Sequence, residues 1–322
     1  MNKKRIMFVV FVLFLICSVS ILSAKGTTEE KKDGAPKYAI ILKTLGNSFW
    51  AAMKEGILEE AKKQGVEVDV FAVQSESDTE GQLRQFENLL GKKYAAIGFA
   101  PLSPINLVQP AAQAYKKGVK LVNIDERVDM GQLKNAQANV FAFITTDNKA
   151  VGAKGATFII EKLGADGGEV AIIEGMAGNA SGEDRKNGAK KVFESKSNIK
   201  LVASQPADWD RTKALDVAAN MIQRYPKLKG IYCANDTMAL GAVQAVINAG
   251  KAGQIVVVGT DGDPEALSFI KQGKLSATVA QDPAEIGAES LRRMIAAVKS
   301  GTQIAVNAQP DFIAVESKLI TE

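Results

Sequence analysis

Polar side chains recur at one kind of place in this chain, directly after a short apolar run and just before a helix-like stretch. Lys43 closes the run Tyr38–Lys43, with Asn47 just beyond it. Asp125 and Glu126 follow Leu121-Val122-Asn123-Ile124, and Asn235 and Asp236 follow Ile231-Tyr232-Cys233-Ala234. Asp261 ends Val256-Val257-Val258-Gly259-Thr260, and Gln281 ends Thr278-Val279-Ala280. Carboxylates only accept hydrogen bonds, arginine only donates and amides do both, so together with Arg185 this set suits a ligand rich in hydroxyl groups. Charged partners give the shorter, stronger bonds. Each strand-end Asp or Asn is also a good helix N-cap, and for any single residue the two roles stay equally open. Their recurrence at equivalent places favours a shared ligand.

Aromatic residues are 6% of the chain and only two are tryptophans, so each indole matters. Trp209 lies in Asp208-Trp209-Asp210-Arg211, a polar turn unlike the surroundings of a core indole, and is expected on a cleft wall. Phe49 and Trp50 open a helix-like stretch, where they either staple the helix to the core or cover the apolar face of a sugar ring. Arg185, in Gly182-Glu183-Asp184-Arg185, is expected at the start of a helix on the cleft rim.

Much chemistry is excluded. The chain has no histidine, which rules out Ser-His-Asp and Cys-His catalysis and histidine metal sites. No phosphate loop, dinucleotide fingerprint or calcium loop is present, and Gly178-Asn179-Ala180-Ser181-Gly182 has its serine out of register for a nucleophile elbow. Asn179-Ala180-Ser181 also matches a glycosylation triplet. A glycoside hydrolase would need a carboxylate pair, and Asp125 with Glu126 is the one adjacent pair in this set. Neither metal nor cofactor is expected.

The elements that must position these residues alternate. Apolar, β-branched runs at Tyr38–Lys43, Val66–Val73, Ala95–Ala100, Lys120–Asp125 and Phe141–Thr146 predict strands, as do Glu169–Glu174, Leu201–Gln205, Gly230–Ala234, Ile255–Asp261 and Ala277–Gln281. Between them Phe49–Gln64, Glu80–Leu90, Ala150–Leu163, Arg185–Phe193, Arg211–Arg224, Met238–Asn248 and Pro283–Lys299 predict helices, with Gly65, Gly118, Gly164 and Gly250 as stops. Such alternation predicts an α/β fold of parallel sheets covered on both faces. Two doubly wound halves, centred on 38–145 and 146–281, accommodate the strands better than one sheet, and 322 residues exceed what one core usually supports. A last strand is expected at Asp311–Val315. Ligands of open parallel sheets bind beyond the strands' carboxyl ends, which is where the polar set lies.

Residues 1–24 have the form of an export signal: Lys3, Lys4 and Arg5, then the apolar run Ile6–Ile16, then Ser23 and Ala24. Cys17 offers lipid attachment as the lesser alternative. Residues 25–36 read as a flexible tether. Without the leader the net charge falls from +4 to +1, which gives no argument for nucleic acid. Cys233, the only cysteine beyond the leader, is expected in a buried strand.

Lys43-Thr44-Leu45-Gly46-Asn47-Ser48-Phe49-Trp50, Asn123-Ile124-Asp125, Cys233-Ala234-Asn235-Asp236, Val258-Gly259-Thr260-Asp261-Gly262 and Val279-Ala280-Gln281 together resemble the ligand loops of the ribose-type periplasmic sugar-binding proteins. Lys43–Trp50, Thr145-Thr146-Asp147-Asn148, Ile172-Ile173-Glu174-Gly175 and Leu201–Arg211 resemble its allose-type members, and the similarity spans about residues 37–322. The resemblance implies type I lobes joined by a three-strand hinge, with crossings near Thr145–Thr146, Gln281–Asp282 and Pro310. One lobe would hold 37–145 plus 282–309, the other 146–281 plus 310–322. Asn47, Asp125, Arg185, Asn235, Asp261 and Gln281 would hydrogen-bond the sugar, and Phe49, Trp50 and Trp209 would sandwich its ring. Lys43 and Glu126 look like allose-type features, and Asn179 is a further implied contact. The implied function is a periplasmic monomer that closes on D-allose or a close hexose or pentose and delivers it to the permease and ATPase of an ABC importer. Within the family the alternative is a ribose- or psicose-type receptor serving a chemoreceptor; outside it, a sugar-acting α/β enzyme.

Overall fold

A computed structural model of the chain describes residues 35–321. The expected export signal, Cys17 and most of the tether lie outside the described residues. The first half alternates β1 (Lys37–Thr44), α1 (Ser48–Gln64), β2 (Glu67–Val73), α2 (Thr79–Leu89), β3 (Tyr94–Phe99), α3 (Val108–Lys116), β4 (Lys120–Ile124), α4 (Met130–Asn135) and β5 (Ala142–Thr146). The second repeats the scheme with α5 (Asn148–Leu163), β6 (Gly168–Glu174), α6 (Ala180–Glu194), β7 (Ile199–Pro206), α7 (Arg211–Arg224), β8 (Leu228–Cys233), α8 (Asp236–Asn248), β9 (Val256–Asp261), α9 (Pro264–Lys271) and β10 (Ala277–Ala280). The chain then adds α10 (Pro283–Lys299), β11 (Asp311–Val315) and β12 (Lys318–Ile320).

Two six-stranded sheets result, ordered β11-β5-β4-β3-β1-β2 and β12-β10-β9-β8-β6-β7. All pairings are parallel except the antiparallel pair of β10 with β12. The apolar strands are buried on both faces, as a parallel sheet requires. In the first lobe one face packs on Met53 and Ile57 of α1 and Leu291 of α10, the other on Phe86 of α2 and Ala111 of α3. In the second, Ala218 and Met221 of α7 and Ala242 of α8 cover one face, and Ile159 of α5 and Phe193 of α6 the other. Each sheet reverses its winding beside its first strand, between β1 and β3 and between β6 and β8. Those switch points are where open α/β sheets leave a crevice. The expected helix stops Gly65, Gly118, Gly164 and Gly250 all have positive φ.

Three features depart from the sequence-based expectations. The last crossing between lobes is not near Pro310: β11 runs parallel to β5 in the first sheet, and the chain crosses at Glu316–Ser317 to reach β12 in the second. A proline just before an edge strand withholds no ladder donor, so Pro310 does not end the first lobe. Helix α6 begins at Ala180, not Arg185, because a side chain from the other lobe receives its first amide groups. The short elements α3, α4, α9 and β12 carry too few periodic residues to stand out in the sequence.

Candidate ligand-binding cleft

The strand ends of the two lobes meet around one shared cavity lined by side chains from both, where ligands of open parallel sheets bind. From the first lobe come Lys43 at the end of β1, Asn47, Phe49 and Trp50 at the start of α1, and Asp125 after β4. From the second come Arg185 of α6, Trp209 before α7, Asn235 after β8, Asp261 at the end of β9, and Gln281 after β10. These ten of the twelve expected site residues therefore share one surface.

The strand-end amides cap their helices and line the cavity as well. Asn235 Oδ1 accepts from Met238 N at 2.9 Å and Asn47 Oδ1 from Phe49 N at 2.8 Å, so each caps its helix with oxygen and keeps its NH₂ for the cavity side. The carboxylates are less satisfied. Asp125 is buried, and its Oδ1 has no hydrogen-bond partner within the protein; neither has Gln281 Oε1. Burial pushes the Asp125 carboxyl up to about 7, against the pull of the Lys43 and Arg185 cations. Asp261 accepts from Gln281 Nε2 at 2.6 Å and faces Arg185 Nη1 at 3.5 Å. Burial raises it to about 6, and Arg185 and that hydrogen bond oppose the rise. Both carboxylates sit on residues with positive φ, 54° for Asp125 and 120° for Asp261. Such backbone is characteristic of functional positions. Asp236 turns away from the cavity and accepts from the amides of Gly262 and Asp263, each at 2.8 Å, which fixes the turn after Asp261.

The cations are held as firmly. Lys43 Nζ lies 3.2 Å from Glu126 and 3.7 Å from Glu76. Burial would lower its pKa, and the surrounding carboxylates of Glu126, Glu76 and Asp125 outweigh that and raise it. Arg185 is not on the rim but buried in the floor. Its Nε donates to Asn148 Oδ1 and its Nη1 to the carbonyl of Ala234, both at 2.8 Å. The cause is the close crossing of α5 and α6: a Cβ on Gly152 would lie 1.9 Å from the Arg185 carbonyl, so only glycine lets the two backbones meet there. The indoles are pinned as well. Trp50 Nε1 donates to Glu76 at 3.1 Å and packs edge-on to Phe49, with centroids 5.1 Å apart. Trp209 Nε1 donates to Asn179 Oδ1 at 2.9 Å, and the Arg185 guanidinium lies 5.9 Å from its ring.

Two expected ligand contacts are corrected. Neither Glu126 nor Asn179 reaches the cavity surface. Glu126 is fully buried behind Lys43 and bonds α6 of the other lobe; Asn179 holds Trp209 with its oxygen and donates to the Leu102 carbonyl of the first lobe at 3.0 Å. Glu76 and Ser181 line the cavity and were not foreseen. Glu76 follows the end of β2, so the strand-end rule could have found it.

The profile of a periplasmic binding protein domain matches residues 38–303. The D-allose-binding periplasmic protein of Escherichia coli K12 is 62% identical over 288 residues, covering 89% of this chain and 93% of that protein. The ribose import binding protein of Bacillus subtilis 168 is 33% identical over 289 residues, covering 89% and 90%. Among solved structures, an ABC transporter periplasmic solute binding protein from Actinobacillus succinogenes 130z with bound D-allose superposes with a TM-score of 0.82 at 34% identity, covering 89% of this chain and 97% of that one. With two parallel-sheet lobes, strand ends converging on one cavity and similarity along nearly its whole length, this chain belongs to the periplasmic binding protein family, as a type I sugar-binding transport protein and not an enzyme.

Proposed function

We propose that the chain is a periplasmic receptor that closes its lobes around one monosaccharide, D-allose or a close relative, and presents it to the permease and ATPase of an ABC importer. One observation carries the reading: two buried acceptors without a protein partner, Asp125 Oδ1 and Gln281 Oε1, come from different lobes to the same cavity. Buried acceptors need donors, and a ring of hydroxyls supplies several at once. The Arg185 guanidinium and the NH₂ groups of Asn47 and Asn235 donate in return, and Phe49, Trp50 and Trp209 cover the apolar faces of the ring. The name of the Escherichia coli relative and the D-allose in the Actinobacillus succinogenes structure favour allose over ribose. A hydroxyl of the wrong epimer would leave a buried polar group unpaired, costing about 1–3 kcal/mol.

The moving bodies in this reading are 37–146 with 283–315, and 147–282 with 318–320, hinged where the chain crosses. Sugar favours the closed form through contacts that exist only there. One cleft per chain needs no second subunit, so the receptor acts as a monomer, and a chemoreceptor would read the same closed form as the permease. Among the described residues no helix is long and apolar enough to cross a membrane. The test is a thermal-shift screen of monosaccharides, since a ligand bound only by the folded state raises its melting point. D-allose should give the largest shift, with ribose and psicose behind it. No shift with any monosaccharide would refute the assignment.

A further inference from the structure

Glu126 is a fully buried carboxylate that does not line the cavity, and protein donors reach both of its oxygens. From the first lobe it reaches the amino end of α6 in the second: Oε1 accepts from Ala180 N at 2.5 Å and Ser181 N at 3.2 Å, and Oε2 from Ser181 Oγ at 2.7 Å. The same Oε2 holds Lys43 Nζ at 3.2 Å, and the Glu126 carbonyl accepts from Asn123 Nδ2 at 2.8 Å, which anchors the residue to β4. A carboxylate at a helix amino terminus is favoured by the unpaired amides and by the helix dipole. Helix α6 is the one that carries Arg185 into the cavity floor.

We propose that Glu126 is a positioning residue that latches the closed form: it joins the lobes without touching the sugar, and it sets how far closure is favoured before any sugar contributes. Resting on the receptor reading above, the proposal assigns affinity and specificity to different residues. The side chains lining the cavity discriminate sugars. The latch scales the affinity for all of them by one factor, because only closed molecules bind fully and apparent affinity falls with the closed fraction.

Two variants remove the latch by different routes. Glu126→Gln replaces an acceptor-only carboxylate with an amide whose NH₂ cannot accept from α6. Ala180→Pro deletes a single donor to Glu126. Ala180 is the first residue of α6, where proline is tolerated, and Asn179 before it has φ −70° and ψ 127°, the extended backbone that a following proline prefers. Calorimetry with D-allose and D-ribose, together with small-angle X-ray scattering of the sugar-free chain, provides the test. Both variants should weaken both sugars by the same factor, about tenfold or more, and should enlarge the sugar-free radius of gyration. Affinities unchanged in Ala180→Pro, or an allose-to-ribose ratio shifted by the loss of the carboxylate, would overturn the proposal. Wild-type protein that binds neither sugar would refute the receptor reading instead. Scattering then decides the latch alone, and a radius unchanged in both variants overturns it.

Discussion

Replacing Asp125 by Asn sets two effects of opposite sign against each other. Burial raises the Asp125 carboxyl from 3.8 to about 7, so at pH 8 the sugar-free fold carries an ionised group that its surroundings disfavour. At about 1.36 kcal/mol per pKa unit the penalty is at most about 4 kcal/mol. The amide removes that penalty, which is already net of the pull of Lys43 and Arg185, so the sugar-free variant gains stability up to that limit. Asn tolerates the positive φ of 54° found at this position, so the backbone stays as it is. In a protein of this size each kcal/mol is about 2–4 °C of melting temperature. Binding moves the other way. The amide offers one acceptor oxygen in place of two, and losing a hydrogen bond to a charged group removes about 1.5–3 kcal/mol, or about 10- to 100-fold in affinity. Differential scanning fluorimetry of the sugar-free protein and calorimetry with D-allose read the two effects separately. The variant should melt higher and bind more weakly. A variant that melts lower and binds as tightly as the wild type would refute the assignment of Asp125 to the ligand.

Further outcomes follow from the same geometry. Asp125 and Asp261 have folded pKa values of about 7 and about 6, above their ordinary 3.8, so the stability they contribute is full below about pH 4 and is lost as pH rises through 6 to 7. Relative to a variant with Asn at both positions, the sugar-free wild type should therefore melt progressively lower from pH 4 to 8, while its sugar affinity rises because ionised carboxylates are the stronger acceptors; a constant difference in melting temperature would contradict the burial argument. A Cβ on Gly175 would lie 2.0 Å from the Trp209 ring, so Gly175→Ala should displace the indole and weaken binding about tenfold or more, measurable by calorimetry and contradicted by unaltered affinity. Both tryptophans of the chain line the cavity, so sugar should change the intrinsic emission, and Trp50→Phe and Trp209→Phe should each retain part of that change; emission indifferent to saturating sugar would place the ligand elsewhere.

What the sequence disclosed was carried by periodicity and by one topological rule. The strands from Tyr38 to Gln281 appear where β-branched runs predict them, and the polar residues at their ends converge because parallel strands point their carboxyl ends one way. Glu126 and Asn179 were misplaced because adjacency in sequence says nothing about which way a side chain turns. Asp125, with φ 54°, faces the cavity, while its neighbour is directed at α6. Ser181 was hidden for the same reason: its role exists only once the other lobe is in place. Arg185 sits in the floor because Gly152 and Gly188 let α5 and α6 touch, a contact between helices with no local signature. The last crossing was missed because three residues of β12 are too few to show a period, and only pairing with β10 reveals which sheet they join.

Crystallisation of the chain with D-allose tests the central claim most directly. The account predicts one sugar between the lobes, with ring hydroxyls within hydrogen-bonding distance of Asp125 Oδ1 and Gln281 Oε1 and the ring between Trp209 and the Phe49–Trp50 pair. A sugar bound elsewhere, or a cleft in which those two oxygens find their donors from protein instead, would contradict it.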